Sequence, residues 1–423
     1  MTGWTDPERV FTAVAARADR MFWLDGGGAR EWSGRFSYLG WLEPGDLSLT
    51  YDATTREVRE YDGRRSRVVG DDIFAVLDDR PATWVGWFGY ACRPDLPAQT
   101  ASTGVPDACW MQVSRYLLFD HRHGTVRSHG VDSVPELDVP EWTEPAVRVV
   151  STWSREEYDV AFARVQEELR AGNSYEVNLT YRTEVACPAD PAAVYLRLRR
   201  LNPGPYAGYL AHDGVSVLSS SPERFATIGA DRVLETRPIK GTTPRSADLA
   251  EDDRLRDRLQ TDPKFRAENL MIVDLLRNDL SVVCEPGSVE VPELMHVESY
   301  ATVHQLITTI RGTLRPEFST LQAIRALFPG GSMTGAPKLR TMQIIGDVET
   351  TPRGIYSGAL GRLASDGRAD LGIVIRALVG VEGRFSLGTG GGVTVSSDAE
   401  AEYAETIWKV DRLLRSLGGV GRD

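Results

Sequence analysis

Asp262-Pro-Lys-Phe-Arg-Ala-Glu-Asn-Leu-Met-Ile-Val-Asp-Leu-Leu-Arg-Asn-Asp-Leu280 is the stretch on which the fold turns. Asp262 reads as an N-cap, and Pro263 fills the first helical position, where a missing N–H costs nothing. Phe265, Ile272, Leu275 and Leu276 form one apolar stripe, so the spacing predicts a helix over 263–280 that buries this side. Glu268 lies on the stripe, four residues before Ile272. A carboxylate there is costly unless it is paired or bound to a cation. The plainer alternative is an ordinary surface glutamate.

Beyond residue 395 a second helix is announced by Ser397 or Asp398 as cap and Gly418 as stop. Glu402, Glu405 and Lys409 fall at i, i+3 and i+7 and share one face. Taken alone they read as a solvated ladder of ion pairs. Joined to Glu268 they form an all-oxygen site of the kind magnesium prefers, with positions left for water and an anion. No His or Cys cluster offers what zinc wants. Two glycine-rich segments lie between the helices. Phe328-Pro-Gly-Gly-Ser-Met-Thr-Gly-Ala-Pro-Lys338 runs into a helix whose free amides, with Thr334 and Gly335 before them, offer a seat for a carboxylate. It is not a P-loop, because Ala336-Pro337 stand where Lys-Ser/Thr is required. Gly388-Thr-Gly-Gly-Gly-Val-Thr-Val395 reads as a tight turn with backbone close to a ligand. It fails the dinucleotide fingerprint, since no helix begins directly at it.

The chain uses Arg almost wherever it needs positive charge. Of 48 Lys and Arg residues, only Lys240, Lys264, Lys338 and Lys409 are lysines. A surviving lysine marks a place for a compact ammonium, or for an amine able to lose its proton and attack. Lys264, just inside the first helix, reads as chance retention. Lys240, between Ile239 and Gly241 on a short extended segment, reads as functional. The net charge of −12 without a basic stripe argues against nucleic acid as a partner. A local cationic pocket can still coexist with an acidic surface.

No run approaches the ~18 apolar residues of a membrane span. Met1 to Asp25 mixes acids and bases, unlike a secretory signal, so the expected location is cytoplasmic. Cys92, Cys109, Cys187 and Cys284 are too scattered for a zinc site or a disulfide framework, and read as reduced, buried thiols. The first ~145 residues are strand-rich, as in Phe36 to Tyr51, Trp84 to Tyr90 and Met111 to Asp120. Val131 to Pro145, with prolines among acids, is a surface linker. A helix is expected from Ser154 to Ala171 with Gly172 as its stop, after which strands and helices alternate to the end. The expected organisation is a large α+β protein: an N-terminal portion, 1–150, and a catalytic portion, 151–423, interleaved with the first.

Several of these segments together resemble the chorismate-utilising enzymes. The strings are Ser221-Pro-Glu-Arg-Phe225, Pro238-Ile-Lys-Gly-Thr242, Ala267 to Asp279 and Gly331-Ser-Met-Thr-Gly-Ala-Pro-Lys338. To them are added Gly354-Ile-Tyr-Ser-Gly358, Ile373-Val-Ile-Arg376 and Glu402 to Lys409. That group includes anthranilate synthase large subunits, aminodeoxychorismate synthase component I, and isochorismate and salicylate synthases. The resemblance implies large antiparallel sheets in a β-sandwich core with helices packed outside. It implies Mg²⁺ held by Glu268 and Glu405, with Glu402 as a close or water-mediated partner. It assigns Arg376, Tyr356, Lys409 and the amides around Gly390 and Gly391 to the carboxylates of chorismate. His304 is assigned to a place near the ring.

Two positions separate the branches. Isochorismate and salicylate synthases carry a water-activating lysine at the position of Glu176, so glutamate there disfavours water as the nucleophile. Anthranilate synthases typically carry Ala where this chain has Lys240, the mark of the aminodeoxychorismate synthases. In the mechanism proposed for those enzymes the lysine attacks C2, expels the C4 hydroxyl, and is displaced when ammonia adds at C4. A nucleophilic amine must be neutral, so Lys240 is expected to have a depressed pKa. The implied product is 4-amino-4-deoxychorismate, destined for p-aminobenzoate and folate or a related specialised pathway. Ammonia is implied to come from a separate glutamine amidotransferase subunit. The nearest rival is anthranilate synthase component I chemistry, C2 amination with loss of pyruvate. A binding protein without turnover is a rival of another class.

Overall fold

The computed structural model describes residues 4–26, 34–300 and 303–419. Among those residues two antiparallel sheets, of eleven and twelve strands, form the body of the molecule. The first runs from Arg148–Ser151 through Glu176–Ala186, Arg384–Val393, Ala377–Val381, Val215–Ser221 and Tyr206–His212. It continues into Arg20–Asp25, Phe36–Trp41, Tyr116–Asp120 and Thr125–His129. The second starts with Ile239–Pro244 and Val303–Thr313, then passes Val233–Arg237, Arg224–Ile228, Ala369–Ile373 and Ala359–Leu363. Trp84–Phe88, Ala108–Gln112, Ser48–Asp52, Glu57–Tyr61 and Ser66–Gly70 complete it. Strands from before residue 150 therefore extend both sheets: Trp23 lies opposite Tyr209 in one, and Phe88 opposite Ala359 in the other.

Period-two alternation sorts the side chains. Phe22, Leu210 and Val217 of one sheet meet Val85, Trp87, Cys109 and Met111 of the other in a shared apolar layer. Their chain neighbours Met21, Trp23 and Leu218 point the opposite way, into a cluster with helices Pro7–Ala15, Pro191–Leu201 and Ala399–Ser416. Trp84, Phe88 and Trp110 pack with helices Ile73–Asp78, Pro263–Val283 and Thr320–Leu327. The result is the expected sandwich of large antiparallel sheets with helices outside.

Local chemistry sets the helix ends. The Asp262 carboxylate accepts from the Lys264 amide, and Asp398 accepts from the Ala401 amide. A reciprocal Ser154–Glu157 capping box opens Arg155–Arg170, and Gly172 follows its end at φ +74°. Residues 131–147 form no helix or strand. All four cysteines are buried and unpaired. Among the described residues no helix is long and apolar enough to cross a membrane.

One sequence expectation is overturned here. Gly388 to Val393 is not a turn but the second half of strand Arg384–Val393, paired residue by residue with Glu176–Ala186. Its pairing with Ala377–Val381 ends at Leu387, so from Gly388 onward one strand edge faces the region between the sheets and the outer helices.

Candidate active site

A cavity of about 130 Å³ opens where that free edge meets strand Ile239–Pro244 and helices Pro263–Val283 and Ala399–Ser416. The glycine run makes the close approach possible. A Cβ on Gly388 would overlap the Tyr356 ring, one on Gly390 the Leu179 carbonyl, and one on Gly392 the Glu176 carboxylate. Gly391 is roomier, with Glu402 Oε2 at 3.4 Å and Lys409 Nζ at 3.6 Å from where its Cβ would be.

Lys240 lines this cavity and is buried, its Nζ donating to Glu176 Oε1 in a short hydrogen bond. Glu176 is itself 1% exposed, and among the described residues its Oε2 has no hydrogen-bond partner. The expected neutral amine is not what this arrangement holds. Burial pulls the Lys240 pKa down, but Glu176, helped by Glu268 and Glu223, outweighs it and carries the value above the ordinary lysine range. Lys240 is an ammonium here, with an acceptor already in place to take its proton.

Glu268, Glu402 and Glu405 all line the cavity. Burial pushes the Glu268 carboxyl up to about 7, with Lys240 pulling against the shift and Glu176 adding to it. Among the described residues Glu268 Oε1 has no hydrogen-bond partner, with the Lys264 ammonium 3.9 Å away. Glu405 is half exposed and its carboxyl is held below the usual range, chiefly by the Lys409 ammonium 2.8 Å away. Glu402 accepts from Lys264 Nζ at 2.9 Å, so Lys264 is not idle as the sequence suggested. In donor chemistry the three carboxylates suit a hard divalent cation, and the orphaned Glu268 oxygen calls for one. Among the described residues, however, no three acidic, His or Cys side chains are gathered as a ready-made cage. Lys264 and Lys409 draw two of them aside.

Another wall is cationic and aromatic, and shares Lys409 with the carboxylate side. Arg376 sits at φ +49°, its carbonyl fixed by the Ser220 amide and hydroxyl. Burial lowers its pKa, yet a guanidinium starts so high that it stays charged. Tyr356 is wedged between Gly388 and the Arg182 guanidinium, which lies 4.4 Å from its ring centroid. Lys409 Nζ donates to the Gly390 carbonyl at 2.8 Å, tying the helix to the glycine strand. This wall suits a dianion.

Three expected site residues lie elsewhere, and a fourth, Glu176, is off the cavity lining and meets it through Lys240. His304 is buried away from the cavity lining, Nδ1 at 2.7 Å from Ser299 Oγ and Nε2 at 3.1 Å from Asp252. Its chain neighbour Gln305 points the other way, lines the cavity, is 1% exposed, and has an unpartnered Oε1. Thr334 hydrogen-bonds back to Gly331, and Gly335 pairs with Val177 so tightly that a Cβ would strike the Glu176 carbonyl. Their loop is spent on holding the strand that bears Glu176, and only Ser332 and Met333 of it reach the cavity. Glu223 was overlooked although it sits in the Ser221-Pro-Glu-Arg-Phe225 string. Its carboxyl accepts from Ser332 Oγ at 2.6 Å, and burial pushes it up to about 7.

A family model described as chorismate binding enzyme matches residues 22–415. The chain belongs to the chorismate binding enzyme family. Aminodeoxychorismate synthase from Streptomyces pristinaespiralis is 41% identical over 97% of this chain, which spans 64% of that protein's length. Aminodeoxychorismate synthase component 1 from Klebsiella aerogenes is 40% identical over 79% of this chain and 76% of its own. Anthranilate synthase component I from Streptococcus pneumoniae TIGR4 superposes with a TM-score of 0.76 at 25% identity, covering 89% of this chain and 91% of that one. The chain thus spans less than two thirds of the Streptomyces relative. In this chorismate binding enzyme the cavity residues come from both sheets and from two outer helices, so the site exists only once the whole sandwich has formed.

Proposed function

We propose that this chain aminates chorismate at C4, giving 4-amino-4-deoxychorismate with the enolpyruvyl group retained. The observation that carries the reading is Lys240, a buried amine in the cavity with Glu176 as its hydrogen-bonded acceptor. The printed names of the Streptomyces and Klebsiella relatives support it. Arg376, Tyr356, Lys409 and the strand edge at Gly390 and Gly391 hold the substrate's two carboxylates. Glu176 takes the proton from Lys240 Nζ, freeing the lone pair to add at C2. The ring double bonds shift and the C4 hydroxyl, taking up the proton that Lys240 gave to Glu176, departs as water. Ammonia then bonds to C4, the double bonds return, and Nζ leaves C2 as the amine. The exchange is ammonia for water, so no oxidant or reductant is consumed. Mg²⁺ would be held by Glu268, Glu402 and Glu405 and would supply charge neutralisation to the dianion as a Lewis acid.

Ammonia is supplied by a glutamine amidotransferase component; the words "component 1" in the Klebsiella relative's name support a second one. The test incubates the purified chain with chorismate, Mg²⁺ and ammonium, with and without a lyase that turns aminodeoxychorismate into p-aminobenzoate. p-Aminobenzoate formed only with the lyase is the expected result. Anthranilate and pyruvate formed without it would make the activity C2 amination and leave Lys240 unexplained.

A further inference from the structure

Lys264 occupies an odd place for a lysine. It lies in the first turn of helix Pro263–Val283, where the helix dipole disfavours a cation. It is also one of only four lysines in a chain that otherwise uses arginine. Its backbone amide satisfies the Asp262 cap, but its ammonium leaves its own helix end and crosses to Glu402 Oε1 at 2.9 Å. Glu268 Oε1, one turn further along the same helix, is 3.9 Å from the same nitrogen. The ammonium therefore stands between carboxylates from two different helices. Glu268 and Glu402 are both largely buried, at 12% and 4% side-chain exposure, whereas Lys264 remains 38% exposed on a flexible stem. Two buried carboxylates on facing helices repel each other unless a cation lies between them.

We propose that Lys264 is a resident counter-cation of the Glu268–Glu402 pair, and that a divalent ion enters only by displacing its ammonium toward solvent. The inference rests on the reading that Glu268, Glu402 and Glu405 hold the metal. An ammonium and a divalent cation cannot share the same carboxylate oxygens without strong mutual repulsion, so each must exclude the other. A lysine suits exchange better than an arginine would, because a single ammonium forms no bidentate fork with a carboxylate. The device keeps the metal-free site compensated and sets metal affinity below what three carboxylates alone would give.

The test uses the full chain without substrate and reads Mn²⁺ binding by loss of the free-ion EPR signal, for the parent, Lys264→Met and Lys264→Arg. Lys264→Met is expected to bind Mn²⁺ more tightly by up to roughly fivefold, the scale of one partly exposed ion pair. Lys264→Arg is expected to bind no more tightly than the parent. In metal-free buffer Lys264→Met should melt earlier than the parent, and Mg²⁺ should restore it. Parent binding with equal or weaker binding by Lys264→Met would overturn the counter-cation role and leave the metal reading intact. No Mn²⁺ binding by either chain would overturn the metal reading and this inference with it.

Discussion

At the scale of single residues, the site is a set of charges each answered by another. Lys240 answers Glu176, Lys264 answers Glu402, and Lys409 answers Glu405. Gln305 adds a buried carboxamide to the cavity, and among the described residues its oxygen has no hydrogen-bond partner. Gln305→Leu, similar in volume but without hydrogen bonds, is expected to lower kcat/KM by roughly tenfold to a hundredfold, the worth of one or two lost hydrogen bonds, with little change in Tm. His304→Ala is expected to do the reverse. It removes the hydrogen bonds His304 makes to Ser299 and Asp252, so Tm should fall by several degrees while the folded fraction keeps its kcat. Equal losses of kcat/KM in the two variants would place His304 in the site after all. The contrast shows what residue types reveal. Lys240, Glu268, Glu402 and Glu405 were legible because ionisable groups at those positions need a chemical reason. That Gln305 and not His304 lines the cavity was not, because adjacent strand residues face opposite ways and a one-residue slip exchanges them.

At the scale of elements, caps were legible and the glycine strand was not. Asp262, Ser154 and Asp398 act on amides two or three residues away, so the sequence contains both partners. Gly388 to Gly392 carries almost no side chains and hence no period. What makes it a strand is Glu176–Ala186, some two hundred residues earlier in the chain and visible only once folded. Its glycines are now individually interpretable. Gly392→Ala is expected to lower kcat by a hundredfold or more, since the methyl displaces the Glu176 carboxylate and lies 3.1 Å from Lys240 Nζ. Gly391→Ala meets only ordinary contacts and is expected to stay within a few-fold of the parent. Steady-state kinetics on the two alanine variants decides the matter, and a milder effect at Gly392 than at Gly391 would contradict the assignment.

At the scale of the whole molecule, the sandwich is closed at a polar latch outside the cavity lining. Arg20 donates to the carbonyls of Glu43 and Asp46, and His212 Nε2 lies 2.8 Å from Ser48 Oγ. Arg20 and His212 belong to one sheet and Ser48 to the other. Burial, helped by Arg20, lowers the His212 pKa to about 4 from 6.5. The folded state therefore binds fewer protons than the unfolded chain between those values, and the stability this group confers is present above pH 6.5 and lost as pH falls toward 4. Full loss amounts to on the order of 3 kcal/mol. Urea unfolding at pH 7.5 and pH 5 should show this decline, and His212→Gln should reduce it; an unchanged decline in the variant would remove His212 from the account. Strand content was legible from alternation, but the order of strands was not. Ten or more strands per sheet pair across hundreds of residues, and no local signal carries that information.

The measurement that bears most directly on the central claim is made on Lys240→Ala, supplied with chorismate, Mg²⁺ and ammonium. Chorismate binding by the folded variant should stay within a few-fold of the parent, because Arg376, Tyr356 and Lys409 are untouched. C4 amination should be abolished or fall by several orders of magnitude, because among the described residues no other amine is hydrogen-bonded to Glu176. A variant that aminates C4 at the parent rate would contradict covalent catalysis by Lys240.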